Sequence, residues 1–391
     1  MNFILSDGNQ REDLYPFTLT RPVSEIRVGI LTISEKWEKW LGFPLSYKTE
    51  AYLSEKFPLS IEADNIVING SYLPDEGLVR AIKKLRPGEA LVQGGEYIAY
   101  RSGQVNETFD EQVYTCLPHA FEGLTIKKTW DIFSKNGEAL KTDFELLTQG
   151  RKSRPISKTN QVLAPENIFI EEGATMEFCI LNATQGPIYI GRDALVMEGC
   201  MIRGGFALCE GAILKMGAKI YGPTTAGPHC KLGGEVNNSV LFANSNKGHD
   251  GYLGNSVLGE WCNIGADTNN SNLKNNYGQV RLWNYRSESF EETGLQFCGM
   301  IMGDHSKSSI NVMFNTGTVV GVSANIFGTG FPRNFIPSFS WGGASGFTTF
   351  LPEKAFEVAM TMMKRRNKEC NEIETRILGH VFGLTEKWRN Y

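Results

Sequence analysis

Residues 190–220 read IGRDALVMEGCMIRGGFALCEGAILKMGAKI, with an aliphatic side chain at every sixth place: Ile190, Val196, Ile202, Leu208, Leu214 and Ile220. The phase runs on through Ala226 and Leu232. A helix repeats its apolar face every ~3.6 residues and a strand every ~2, so neither explains a step of six. A parallel β-helix does, because each short flat strand offers one inward aliphatic per six residues and three strands close a triangular coil. Gly191, Gly205, Gly211, Gly217 and Gly233 fall near the expected corners, where a residue without Cβ turns most cheaply. The phase lapses over 236–250, returns at Leu258 and Ile264, lapses again to about 296, and resumes with Met302, Phe314, Val320 and Ile326. Such lapses are expected to mark loops extruded from one face, where sites are built.

Outward from this stretch the chain changes character. Of 42 glycines, 12 lie in residues 1–150 and 27 in residues 186–351, so the two halves follow different rules. Residues 1–155 alternate a strand (MNFILS), a helix (ISEKWEKWL), a strand (NIVING), a helix (DEGLVRAIKKL) and strands in EALVQGG and EYIAYR. That alternation predicts an α/β domain with a doubly wound parallel sheet. The expected domains are 1–155, a solenoid over 156–351 and a helical tail over 352–391. In the tail, Pro352 opens a helix with Phe356, Met360 and Met363 on its packed face and KRRNK on its solvated face, and Trp341 is expected to cap the solenoid core.

Over 391 residues the net charge is −4 with a pI near 5.9, which argues against the basic stripe of a nucleic-acid-binding protein. Eight cysteines without a CxxC pair predict reduced, mostly buried thiols and a cytoplasmic setting. The opening MNFILSDGNQRED has no basic n-region, and no later stretch approaches a membrane span.

The second lapse carries the chemistry. KGHDGYLGNSVLGEWCNIGADTNNSNLKNNYG, residues 247–278, is similar in spacing to AGHLTYLGDxxIGxxxNIGAGTxxxNYDG. That motif marks the bacterial bifunctional enzymes that acetylate glucosamine-1-phosphate and then uridylylate it, and the likeness is nearest to their shortened Bacteroidetes branch. The resemblance implies a left-handed β-helix and a homotrimer, with acetyl-CoA held on the later coils. It implies His249 as general base, Tyr252 and Asn272 as amino-sugar contacts, and Lys274 near the place of a following lysine. Asp267 stands for a glycine of the motif and Leu273 for its tyrosine. A neutral imidazole suits His249 to take the proton that an amine loses on attacking a thioester. Glu235, after a double glycine, reads either as a carboxylate gripping the sugar amine or as a solvated corner residue. The asparagines of 269–276 read as corner residues tolerating a left-handed backbone.

At the N-terminus SDGNQREDLYPFTLTRP resembles the GxGTR and LxPLTxxxPK loop of sugar nucleotidyltransferases, with Val23 where the lysine belongs. The resemblance makes Gly8, Arg11 and Arg21 a phosphate cradle for UTP or a sugar phosphate, although the two arginines read equally as partners of Glu12, Asp13 and Glu25. Ser71 stands where the family's Mg²⁺-binding aspartate belongs, which leaves Asp7 as the candidate metal ligand, with Asp75 in reserve. The expected function is acetyl-CoA-dependent N-acetylation of an amino-sugar 1-phosphate, fused to a nucleotidyltransferase-like domain. The alternatives are a single-activity acyltransferase with a binding-only N-terminal module, and a non-enzymatic scaffold.

Overall fold

The computed structural model describes residues 1–105 and 108–391. By mutual contacts the chain forms two compact units. The first comprises Met1–Leu14, Thr20–Ile26 and Leu31–Lys128, and the second Tyr15–Leu19, Arg27–Ile30 and Thr129–Tyr391.

The first unit is an α/β domain on a six-stranded sheet. Its strands are β1 (Asn2–Ser6), β2 (Ser46–Lys48), β3 (Asn65–Asn69), β4 (Glu89–Gln93), β5 (Glu96–Ser102) and β6 (Thr115–Pro118), in the order β2-β1-β3-β5-β4-β6. β1 runs parallel to β2 and β3, as the alternation predicts. β5, however, is antiparallel to both β3 and β4, so the sheet is mixed rather than wholly parallel. The reason is local. Gln93 pairs with Glu96 across Gly94 and Gly95, whose φ of 59° and 80° make the two-residue turn that folds adjacent strands into a hairpin. Helix α1 (Ile33–Leu41) starts on a Thr32–Glu35 capping box and ends on Gly42 at φ 77°. It buries Trp37, whose indole N–H donates to the Tyr72 carbonyl at 2.9 Å.

The second unit is a left-handed parallel β-helix of about ten turns. One face stacks nine strands in register, and its inward column runs Ile170, Ile190, Leu208, Ala226, Leu241, Leu258, Met302, Val320, Ile336, all buried. The period-six residues of 190–232 are distributed in turn over the three faces and belong to one continuous core. The lapse at 236–250 is not an extruded loop. Successive inward residues stand eighteen apart from Ile190 to Leu208 but fifteen apart from Ala226 to Leu241, so the coil shortens and stays in the stack. The second lapse is an excursion: Leu258 pairs with Met302, and between them an antiparallel hairpin of Arg281–Asn284 and Ser289–Glu292 leaves the coil.

Helices α2 (Glu76–Lys83), α3 (Asp131–Ser134), α4 (Asn136–Thr148), α5 (Pro352–Lys364) and α6 (Glu372–Leu384) complete the chain. The α3–α4 pair lies in the second unit, where the Asn136 amide donates to the Pro223 carbonyl and the Thr225 hydroxyl at 3.0 and 3.1 Å. Three expectations for the end of the chain change. Phe347 joins the core cluster, whereas Trp341 is 40% exposed and packs outside against Phe350. α5 buries Ala355, Ala359 and Met363 and leaves Met360 exposed. Within KRRNK, Arg366 is not solvated: its guanidinium donates to the His229 carbonyl and to the Asn246 side chain at 2.5 and 2.7 Å.

Close stacking leaves no room for side chains at some corners. A Cβ on Gly227 would lie 2.2 Å from the Phe242 carbonyl oxygen, which is backbone and cannot swing away. Gly227→Ala should therefore destabilise the solenoid by about 1–3 kcal/mol. A thermal unfolding midpoint equal to that of the unsubstituted protein would contradict this packing.

Candidate functional sites

Of the predicted acyl-transfer residues, Glu235, Tyr252 and Asn272 come together on one corner of the solenoid. Lys219, Glu235 and Tyr252 are register partners on three successive strands of one face. Tyr221, two residues beyond Lys219, donates its hydroxyl to Glu235 at 2.5 Å. Burial, and then that bond, push the Tyr221 phenol well above its ordinary pKa, so it stays a donor throughout the neutral range. Asn272 donates to the Tyr252 hydroxyl at 2.9 Å and to the Asn255 side chain at 2.7 Å. Gly254 makes this possible, because a Cβ there would sit 2.2 Å from the Tyr252 hydroxyl and 2.7 Å from Asn272 Nδ2. Glu235 is thus a half-buried, hydrogen-bonded carboxylate rather than a free corner residue.

His249 sits at the corner just before Tyr252, with its side chain exposed to solvent. Its backbone is held close to the preceding coil, since a Cβ on Gly234 would meet the His249 carbonyl oxygen at 2.7 Å. The residue that fixes this corner is Lys247, which the sequence reading passed over. Lys247 pairs with Leu232 and so takes an inward place in the column, 1% exposed. Its ammonium reaches the corner from inside, donating to the carbonyls of Gly233 at 3.1 Å, Asp250 at 3.3 Å and His249. A buried ammonium surrounded by carbonyl oxygens is satisfied, but losing water lowers its pKa to about 8, against the opposing pull of Asp250 and Asp267.

The asparagine run also has a different role from the one expected. None of the asparagines from 269 to 276 has a left-handed backbone, whereas Asp267, in the motif's glycine place, does, at φ 54°. Asn269 and Asn270 instead form a short strand parallel to Met313–Phe314. Their side-chain oxygens accept from the backbone N–H of Tyr252 and Gly254 at 2.7 and 3.0 Å, and Asn270 donates back to the Gly254 carbonyl at 3.1 Å. These bonds extend the ladder beyond Tyr252–Gly254 and orient Tyr252. Lys274 stands apart from the Glu235 corner and lines a different cavity.

In the first unit a cavity of about 300 Å³ opens at the carboxyl ends of β1 and β2, lined by Ser6, Gly8, Asn9, Lys48, Tyr97 and Phe109 among others. The carboxyl ends of parallel strands are where α/β domains bind ligands. Gly8 has φ 59° and lies against Asn69, with 2.8 Å left for any Cβ. Arg11 and Arg21 do not line this cavity and are each 6% exposed. Arg11 forms a buried ion pair with Asp7 and lies 3.7 Å from the carboxylate of Glu50. It donates to Asp7 at 2.7 Å and to the Tyr52 hydroxyl at 2.8 Å.

Asp7 accepts in addition from the backbone N–H of Val23 at 2.7 Å and from the Thr49 hydroxyl at 2.6 Å. Both its oxygens are engaged, so it does not fit a Mg²⁺ ligand in this arrangement. Ser71 is fully buried with its hydroxyl donated to Asn69, and Asp75 caps α2 by accepting from Leu78 N–H. Among the described residues, no group of three or more His, Cys, Asp and Glu is placed to hold a metal. Lys48 is the cation sequence reading missed, because nothing local distinguishes it until β2 is paired with β1. All eight cysteines are free thiols, six of them buried, and no helix among the described residues is long and apolar enough to cross a membrane.

Comparison with known proteins agrees with this domain. Residues 3–152 match the family described as sugar nucleotidyl transferase. A search of curated proteins finds no match. The N-terminal part of the chain is therefore sugar-nucleotidyltransferase-like, and it is followed by the parallel β-helix.

Two outcomes follow from these geometries. Asp7→Asn should cost the first unit about 3 kcal/mol by leaving the Arg11 guanidinium buried beside a neutral group; an unshifted denaturant midpoint would show that the pair is dispensable. For Lys247 the folded-state pKa lies below the unfolded value, so between about pH 8 and 10.5 the unfolded chain binds more protons. The folded state then gains stability as pH rises through that window, by up to about 1.4 kcal/mol per pH unit. Lys307, also buried and lowered to about 8, contributes with the same sign, so the measurement is a difference. The melting temperature of the wild type should climb relative to Lys247→Met from pH 8 to pH 10, and parallel curves would refute the buried ammonium.

Proposed function

We propose that the chain is a transferase that acetylates the amino group of a sugar 1-phosphate with acetyl-CoA at the His249 corner, and binds a uridine nucleotide or sugar phosphate in its N-terminal domain. The observation that carries the first part is a hydrogen-bonded polar cluster, Tyr221 with Glu235 and Asn272 with Tyr252 and Asn255, in the coils next to the turn that carries the exposed His249. In the step proposed, the sugar amine attacks the thioester carbonyl, a C–N bond forms and the C–S bond breaks. The His249 imidazole takes the proton from nitrogen, and the thiolate leaves and is protonated. In this reading Glu235 holds the amine, and Tyr252 and Asn272 the sugar hydroxyls. Assembly as a homotrimer belongs to the same reading.

The match of residues 3–152 supports nucleotide-sugar chemistry in the first unit. A second reading, binding without nucleotidyl transfer, is favoured by one observation: Asp7 spends both oxygens on Arg11, Thr49 and Val23. Pure protein incubated with acetyl-CoA, glucosamine-1-phosphate, UTP and Mg²⁺ separates the readings when every product is identified by mass. An N-acetylated sugar phosphate without a UDP-sugar supports the second reading, both products the first, and neither product ends both. His249→Ala should lower acetyl transfer by ~10²- to 10⁴-fold without changing the melting temperature.

A further inference from the structure

Helix α5 and the last coils border a cavity of about 580 Å³ that the transfer chemistry above does not use. Trp341, Phe350, Leu351, Val358 and Met362 make it largely apolar. Trp341 and Leu351 are 40% and 58% exposed, apolar surface that water meets unfavourably. The two charged residues of the lining, Lys354 and Glu357, are exposed and pair with each other at 3.2 Å, so they leave little net charge there. The unmatched charge lies one turn further along. Arg365 follows Thr361, another lining residue, by one helical turn and so stands on the same side of α5. Beside it Arg366 is anchored to the coil through the His229 carbonyl and the Asn246 side chain, and Asn246 is the register partner of Lys231. Burial, and then the like charges of Arg366, Lys215 and Arg365, hold the Lys231 ammonium below its ordinary pKa, and no carboxylate is among the charges that act on it. Burial and then Lys368 lower His229 in the same way, against the pull of Glu210.

Both features lie on one track. Trp341, Asn325, Lys307, Asn263, Asn246 and Lys231 are successive register partners, so one outer ladder leads from the ring of the cavity to the cation cluster over about 24 Å. Helix α5, about 20 Å long, spans most of that distance. An apolar slot that leads to unmatched cations is the counterpart of a molecule with a long apolar chain and one anionic end. Because the slot is concave, it suits a single chain rather than the flat surface of a bilayer. We propose that it binds a fatty acid, with the chain against Trp341, Phe350, Val358 and Met362 and the carboxylate reaching Arg365 and Lys231. The strand of Lys231 belongs to a different sheet from those of Glu235 and Tyr252, so this site is separate from the proposed transfer site and does not rest on that reading.

Titration calorimetry on the full chain with laurate, dodecanol and dodecyltrimethylammonium, each below its micelle concentration, tests this, together with flotation on phosphatidylglycerol vesicles. The wild type should bind laurate, bind dodecanol at least about 10-fold more weakly, and bind neither the cationic amphiphile nor the vesicles. Lys231→Gln/Arg365→Gln should weaken laurate by about 10- to 100-fold and leave dodecanol unchanged. Val358→Asp sets a charge against the chain and should weaken both ligands by at least about 10-fold. Val358 is only half-buried and Arg365 is exposed, so both variants should keep the melting temperature of the wild type. Laurate binding within about threefold of wild type in either variant overturns the proposal. So does equal binding of laurate and dodecanol, binding to vesicles alone, or binding of none of the probes.

Discussion

The structure of the second unit depends on register. Each coil is too small to bury its own inward side chains, and is stable only because every inward residue lies over another one coil away. In a pleated strand a slip of one residue would turn the whole column outward, so the nine-strand face from Ile168 to Ile336 keeps its register through coils of fifteen, seventeen and eighteen residues and across the long excursion before Met300. Changes in coil length are accommodated at the corners. That places the polar chemistry there, on a scaffold whose interior cannot shift.

The shortened coil has one consequence that periodicity alone would not suggest. Where the column wants an aliphatic residue it receives Lys247, and the cost of burying an ammonium is offset by three carbonyls of the adjoining corners, one of them that of His249. A solvated loop would leave the histidine to wander. The core cation instead fixes the backbone beneath it and leaves the ring free. The first unit has a comparable buried pair in Asp7 and Arg11.

What was legible in the sequence follows from the range of each interaction. The step of six is local and survives in every rung from Ile190 to Leu232, so the solenoid could be read from it. The motif around His249 carried Tyr252 and Asn272, which prove to be bonded neighbours, because fixed spacing in a solenoid becomes a fixed position; Glu235, read apart from the motif, lies in register with Tyr252. Tyr221 was missed because its tie to Glu235 depends on stacking between coils, and Lys247 because a lysine inside a polar lapse looks solvated. The Gly94–Gly95 turn was a visible hairpin signal, but alternation of strands and helices outweighed it in favour of a parallel sheet. Arg11 reads as part of a phosphate cradle and Asp7 as a metal ligand in the sequence because the segment after β2 that carries Thr49 and Tyr52 to them is distant along the chain.

The excursion after Asn272 shows how one departure from the repeat can serve two purposes. A face of stacked strands is flat, and a flat face cannot enclose a ligand. Sending 273–297 out as a hairpin builds a wall beside that face, and Asn269 and Asn270 keep the ladder continuous at the point where the backbone departs. The wall carries Arg281, Trp283 and Phe290, the resumed coils carry Thr316, Arg333 and Phe335, and the end of the chain carries Trp388 and Asn390, so the cavity that Lys274 lines exists only where the three meet.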